Sequence, residues 1–300
     1  MNKPKIIFVL GFPRSGTKLL MKLLQTHNKI GGVNYEINLA HRLNKNNYGV
    51  EGFLTAVKSS TLITKIPKKT LEKFTTSITN HQNQTEIFKE LLIAISNDNQ
   101  FTYIVDKSPR YINYLPELLE NFPEAKFIHI VRNPIDVALS HRKVWNKSII
   151  RTSDQWRKVN HILLNHKYNA HILRIRYENL TTEPEKSLLA ISRYLNISND
   201  FDYKNVDSRE KYGNVTVQGV KINKNSRLLS IRDQKLIEEY SYSAMKAFEY
   251  QISYAKKQKK KTLFLSIFLI IWDNINVLFF HIREKGIIKG TRYYLKLKNN

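Results

Sequence analysis

Apolar residues near the start of the chain follow two different rhythms. Residues 6–10, Ile-Ile-Phe-Val-Leu, form an unbroken run that stops at Gly11. A short apolar run rich in β-branched residues and ended by glycine predicts a strand buried on both faces. Leu19, Leu20, Leu23 and Leu24 then recur at helical spacing within 18–26. The opening unit is therefore strand, loop and helix, with the loop Gly11-Phe12-Pro13-Arg14-Ser15-Gly16-Thr17 between them. The alternation continues, with strands predicted at 101–105, 127–131 and 171–175. Helices are predicted at 115–121, 135–145 and 185–195, the last following Pro184. Strands alternating with helices argue for an α/β fold around a central parallel sheet, which binds ligands beyond the carboxyl ends of its strands. The polar clusters Asp106–Arg110, Arg132–Pro134 and Arg176–Leu180 all fall at such ends. Residues from about 38 to 100 read as helices joined by polar loops, an acceptor-side subregion of a domain spanning 1–250.

Near residue 251 the pattern changes. A basic run, Lys256–Lys261, precedes a strongly apolar stretch, 263–280, and further basic residues follow to Lys298. On a helical wheel Thr262, Ser266, Asp273, Asn274, Asn276 and His281 share one half, and Leu, Ile, Phe and Val fill the other. Residues 251–300 thus predict a basic amphipathic helix with a wide apolar face, which either lies on an anionic membrane surface through 256–298 or docks on the core with its Lys run solvated. Asp273 at mid-segment argues against a span, because a carboxylate in hydrocarbon costs a few kcal/mol.

Composition narrows the chemistry. The 300 residues include no cysteine, which excludes disulfides, zinc-thiolate sites and cysteine nucleophiles. The nine histidines show no metal-ligand spacing, and no metal is expected. A net charge of +24 attracts anions, without choosing among nucleic acid, anionic lipid, acidic glycans and nucleotides. The run 6–10 is shorter than a secretory signal core, so the expectation is a cytoplasmic protein attached peripherally to the inner membrane face. The Asn-, Lys- and Ile-rich composition suggests an AT-rich, bacterial genome.

The loop after the first strand is the strongest chemical signal. Gly and Ser permit close approach of backbone to a phosphate, and the helix that follows offers free N–H groups and a positive dipole end. Arg14 adds a planar fork of donors for a pair of anionic oxygens. An ATP-dependent kinase is one competing reading, but its G-x-x-x-x-G-K-[ST] order is absent, since Gly16 precedes Thr17 and then Lys18. A non-catalytic binder of nucleic acid or lipid is the other. It explains the charge but not the ordered strand-end motifs, and no specific nucleic acid is expected.

Phe12-Pro13-Arg14-Ser15-Gly16-Thr17 resembles the 5′-phosphosulfate loop of sulfotransferases that use 3′-phosphoadenosine 5′-phosphosulfate (PAPS), in the Arg-bearing form of the carbohydrate and tyrosylprotein enzymes. Asp106-Lys107-Ser108-Pro109 is similar to that family's Lys-Pro element. Residues 122–134, with Ser140 eight positions after Arg132, resemble its segment for the 3′-phosphate. Arg176-Tyr177-Glu178-Asn179-Leu180, then Pro184 and Leu195, resemble a further element. The resemblance covers about 6–197 and implies a P-loop-like three-layer fold with PAPS as co-substrate. It implies that Pro13, Arg14, Ser15, Gly16, Thr17, Lys18, Arg132, Ser140 and Tyr177 bind the donor. It places Lys107 beside the reacting centre, although an ion pair with the adjacent Asp106 is an alternative reading of that lysine. Glu36 is the candidate base, with His41 as the alternative. The acceptor is a hydroxyl of a glycan, glycolipid or protein.

Overall fold

The computed structural model describes residues 3–32, 36–39, 43, 49–59, 66–78, 83–96, 101–164, 171–204, 206 and 229–299. In chain order the elements are β1 (Lys5–Leu10), α1 (Thr17–Leu24), β2 (Ile30–Gly32), α2 (Gly49–Ser59), α3 (Lys68–Ser77), α4 (Gln84–Ser96), β3 (Tyr103–Lys107) and a 3-10 turn (Pro109–Tyr114). They continue with α5 (Leu115–Asn121), β4 (Lys126–Val131), α6 (Pro134–Trp145), α7 (Ile149–Leu164), β5 (Ile172–Arg176), α8 (Tyr177–Thr182) and α9 (Pro184–Leu195). After these come α10 (Ile231–Ala247), α11 (Leu263–Lys285) and α12 (Ile287–Asn299). Two compact units divide the chain: Met1–Gly11, Gly16–Ile130 and Ala170–Val220 form one; Phe12–Ser15, Val131–Asn169 and Lys221–Asn300 form the other.

The first unit is built on a five-stranded parallel sheet of order β2-β3-β1-β4-β5. The unbroken apolar run of β1 has its cause here, because both faces of the strand are covered. Ile7 and Val9 pack with Leu19, Leu20 and Leu23 of α1 and with Leu188, Ile191 and Leu195 of α9. Phe8, pointing the other way, meets Tyr111, Phe122 and Phe127 at ring-centroid distances of 5.5, 5.3 and 5.4 Å. The aromatic column continues through Phe88 of α4 to Phe53 of α2. Helices thus cover both faces of the sheet, as the alternation of elements requires.

Two differences from the sequence expectation have local causes. The strand expected at 101–105 runs from Tyr103 to Lys107. Phe101 instead lays its ring against Gly31, and the N–H groups of Thr102 and Tyr103 both donate to the carbonyl of Lys29. The edge strand β2 was not expected, because its three residues, Ile-Gly-Gly, carry no alternation to read.

In the second unit, α6, α7 and α10 enclose a core of Val137, Trp156, Ala244, Met245 and Phe248, to which Phe12 and Val131 contribute. Asn133 caps α6, its side-chain oxygen accepting the N–H of Ile135 at 2.9 Å, and Pro134 begins the helix. The strand-end motif Arg-Asn-Pro therefore encodes a sharp helix start. Glu238, fully buried, accepts the N–H groups of Ser253, Tyr254 and Ala255, which fixes the chain just before the basic run.

Candidate functional site

Gly11 and Gly16 frame the loop between β1 and α1. In the first unit, a Cβ on Gly11 would lie 2.8 Å from the carbonyl oxygen of Ile130, so only glycine fits. Gly16 caps α1 with φ 96°, a left-handed conformation, and the ring of Tyr177 covers its α-carbon. Thr17 is buried and Lys18 half-buried at the start of α1, a first turn that contains no acid. This N-terminus offers N–H groups and dipole to an anion.

At the carboxyl end of β3, Asp106 and Lys107 point to opposite sides of the sheet, as consecutive strand residues do. The pairing of these two residues allowed by sequence is therefore replaced by two separate contacts. Lys107 Nζ lies 2.6 Å from Glu36 Oε1. The Glu36 side chain is 40% exposed, while that of Lys107 is only 9% exposed. Asn38, with φ 55°, holds this arrangement: its N–H donates to Ser108 Oγ at 3.0 Å and its amide to Glu36 Oε2 at 3.4 Å. Glu36 and Lys107, sequence-predicted 71 residues apart, are thus in direct contact. His41, the alternative base, lies outside the described residues.

Asp106 is fully buried and accepts a hydrogen bond from Tyr111 Oη at 2.5 Å. Burial pushes its carboxyl up to about 7, against the opposing pull of the Tyr111 hydrogen bond and Lys107. A carboxyl raised on folding contributes stability that is fully present below its unfolded value near 4. That contribution is lost as pH rises through about 7. Asp106→Asn keeps an acceptor for Tyr111 and removes the titration. Its stability relative to wild type, from urea unfolding midpoints, should therefore rise between pH 5 and pH 8 by roughly 2–3 kcal/mol. A difference independent of pH would show that Asp106 does not titrate in this range.

In the second unit, Arg14 lies at the centre of a cluster of donors. It adopts φ 71°, and its Nε donates to Ser140 Oγ at 3.0 Å. Its guanidinium lies 5.9 Å from the Trp145 ring centroid, a cation–π contact. Arg132 Nη1 donates to the carbonyl of Arg14 at 3.3 Å, and Nη2 approaches Asp136 at 3.7 Å. Burial raises the Asp136 carboxyl, an effect that Arg132 opposes. The eight-residue interval between Arg132 and Ser140 thus brings both side chains to one arginine. Ser15 is fully buried, and its Oγ has no hydrogen-bond partner among the described residues. Its N–H closes the turn onto the carbonyl of Phe12 at 3.1 Å.

His141 is a contributor that sequence reasoning missed. It stacks on Phe12 with centroids 5.4 Å apart, and its Nε2 lies 3.1 Å from the carbonyl of Pro13. Burial, reinforced by Lys147, pushes its imidazole down to about 3. The neutral ring therefore donates from Nε2 and holds the loop at Pro13. Its only signal in the sequence is adjacency to Ser140. No group of three or more potential metal ligands occurs among the described residues.

The sequence pattern described as the sulfotransferase family matches residues 4–202. The chain belongs to the sulfotransferase family. A nodulation protein, NoeE, from Sinorhizobium fredii (strain NBRC 101917 / NGR234) is 29% identical over 147 residues, 47% of this chain and 32% of that protein. An uncharacterized protein of Aquifex aeolicus (strain VF5) is 26% identical over 198 residues, 60% of this chain and 24% of that protein. The chain thus spans about a quarter to a third of the length of these curated relatives. Among solved structures, the sulfotransferase domain from the curacin biosynthetic pathway aligns with TM-score 0.52 at 20% identity, over 84% of this chain and all of that one. The sulfotransferase domain of the Synechococcus PCC 7002 olefin synthase gives the same TM-score and identity over 84% of this chain and 98% of that one. At such identity these two structures establish that the fold is shared.

Proposed function

We propose that the chain transfers a sulfuryl group from PAPS to an acceptor hydroxyl. The observation that carries this reading is the cluster of Arg14, Arg132 and Ser140, two guanidinium groups and a hydroxyl drawn together by residues 118–126 apart in sequence. The resemblance of these residues to the family's donor-binding elements gives that cluster a ligand. The site residues fit the donor. Ser15 Oγ is a buried polar atom with no hydrogen-bond partner among the described residues, and the guanidinium groups of Arg14 and Arg132 suit phosphate oxygens.

When bound, PAPS supplies an activated sulfuryl group on a 5′-phosphate leaving group. Arg14 and the N-terminus of α1 are assigned to the charge on its phosphosulfate, and Arg132 with Ser140 to its 3′-phosphate. Glu36 takes the proton of the acceptor hydroxyl as that oxygen bonds to sulfur and the bond from sulfur to the phosphate oxygen breaks. Lys107, held against Glu36, places a positive charge beside the oxygens whose charge grows during transfer. The resemblance of the loop to the Arg-bearing form of the carbohydrate enzymes suggests a glycan or glycolipid hydroxyl as the acceptor. Incubation with 35S-labelled PAPS and a panel of glycans, glycolipids and tyrosine peptides tests this directly. Label should pass to a saccharide acceptor, and transfer confined to peptide tyrosine would reject the saccharide assignment.

A further inference from the structure

Helix α11 turns its polar side inward. Asp273, only 2% exposed, accepts Arg151 Nη1 of α7 at 2.8 Å and the N–H of Ser148 at 2.8 Å. Asn276 accepts the side-chain amide of Asn146 at 2.8 Å. Leu269 lies buried on the same stripe. Every exposed position from Leu263 to Phe279 carries a large apolar side chain. Phe264, Phe268, Ile271, Ile275 and Phe279 follow one another at helical spacing as an outward stripe, with Trp272 beside it and Phe264 83% exposed. This inverts the usual arrangement of a surface helix, whose apolar stripe faces the core. An outward apolar stripe of this extent marks an interaction surface.

Charge identifies the occupant. Lys256, Lys257 and Lys260 are exposed before the helix, and Arg283, Lys285, Lys289, Arg292 and Lys296 are exposed at its end and along α12. Residues 251–300 carry 11 Lys and Arg against two acids, one of them the buried Asp273. A second copy would set these cations against like cations. We propose that α11 lies along the surface of a bilayer containing anionic lipid. Its apolar stripe enters the acyl region and the flanking cations meet phosphate headgroups. Its 23 residues are long enough to cross a bilayer, but crossing would draw the Asp273–Arg151 pair and α7 into hydrocarbon. The inference stands independently of the proposed donor and acceptor.

The test is co-sedimentation of the full chain with vesicles of phosphatidylcholine containing about 30 mol% phosphatidylglycerol, beside vesicles of phosphatidylcholine alone. Wild type should sediment with the anionic vesicles and be released by salt. The F268S/I271S variant, altered only at exposed positions, should keep the wild-type urea midpoint and bind at least about tenfold more weakly. A variant with Gln at Lys256, Lys257 and Lys260 should weaken binding by about tenfold or more. In wild type, brominated lipid should quench a share of the emission that Trp272→Phe removes. Failure of wild type to sediment, or equal sedimentation of F268S/I271S, would overturn the proposal. So would self-association that F268S/I271S abolishes while wild type ignores vesicles, which would give the face to a second copy.

Discussion

With Gln at position 36, sulfuryl transfer should slow by about 10²–10⁴-fold in kcat, the usual contribution of a positioned general base. Gln keeps the shape of Glu36 but accepts no proton at neutral pH. It also removes the negative partner of Lys107, now 2.6 Å away, and leaves that amine free to shift. Because Glu36 is assigned to the acceptor and not to the donor, binding of 3′-phosphoadenosine 5′-phosphate should stay within about twofold of wild type. Steady-state rates at saturating donor, with calorimetric affinity measured in parallel, separate the two effects. A variant with unchanged kcat would remove Glu36 from the reaction and turn attention to His41.

Arg132→Ala should weaken binding of 3′-phosphoadenosine 5′-phosphate by on the order of 10–100-fold, as expected for loss of charge-assisted hydrogen bonds to a phosphate. Adenosine 5′-phosphosulfate lacks the 3′-phosphate, and its affinity should hardly change. The two ligands together distinguish loss of a phosphate contact from general disturbance of the loop. That control matters because Arg132 also donates to the carbonyl of Arg14 and approaches Asp136, opposing the upward push of burial on that carboxyl. Arg132→Lys preserves the charge but not the fork, and should fall between wild type and alanine. Equal weakening of both ligands would assign Arg132 to loop support.

The strand-loop-helix opening was legible because its signals are local. An unbroken apolar run marks β1, glycine ends it, and leucines at helical spacing form α1. Arg132-Asn133-Pro134 was legible for a similar reason, since cap and first turn lie within three residues. What escaped depends on distant partners. The direction of the Lys107 side chain is set by strand geometry, and its partner Glu36 lies 71 residues away. The wheel divided α11 into polar and apolar halves but could not say which half faced the protein. That is decided by Arg151, 122 residues from Asp273. His141 was invisible because its partners, Phe12 and Pro13, belong to the loop more than 120 residues earlier. The edge strand β2 leaves no periodic trace in three residues, two of them glycine.

Calorimetric titration of the wild-type protein asks whether it holds a donor site selective for a 3′-phosphate. 3′-Phosphoadenosine 5′-phosphate, ATP and adenosine 5′-phosphosulfate would be compared under identical salt, since a protein of net charge +24 binds any polyanion at low ionic strength. The bisphosphate should bind saturably and at least about tenfold more tightly than either of the others. Equal affinity for ATP, or no preference for the 3′-phosphate, would contradict such a site.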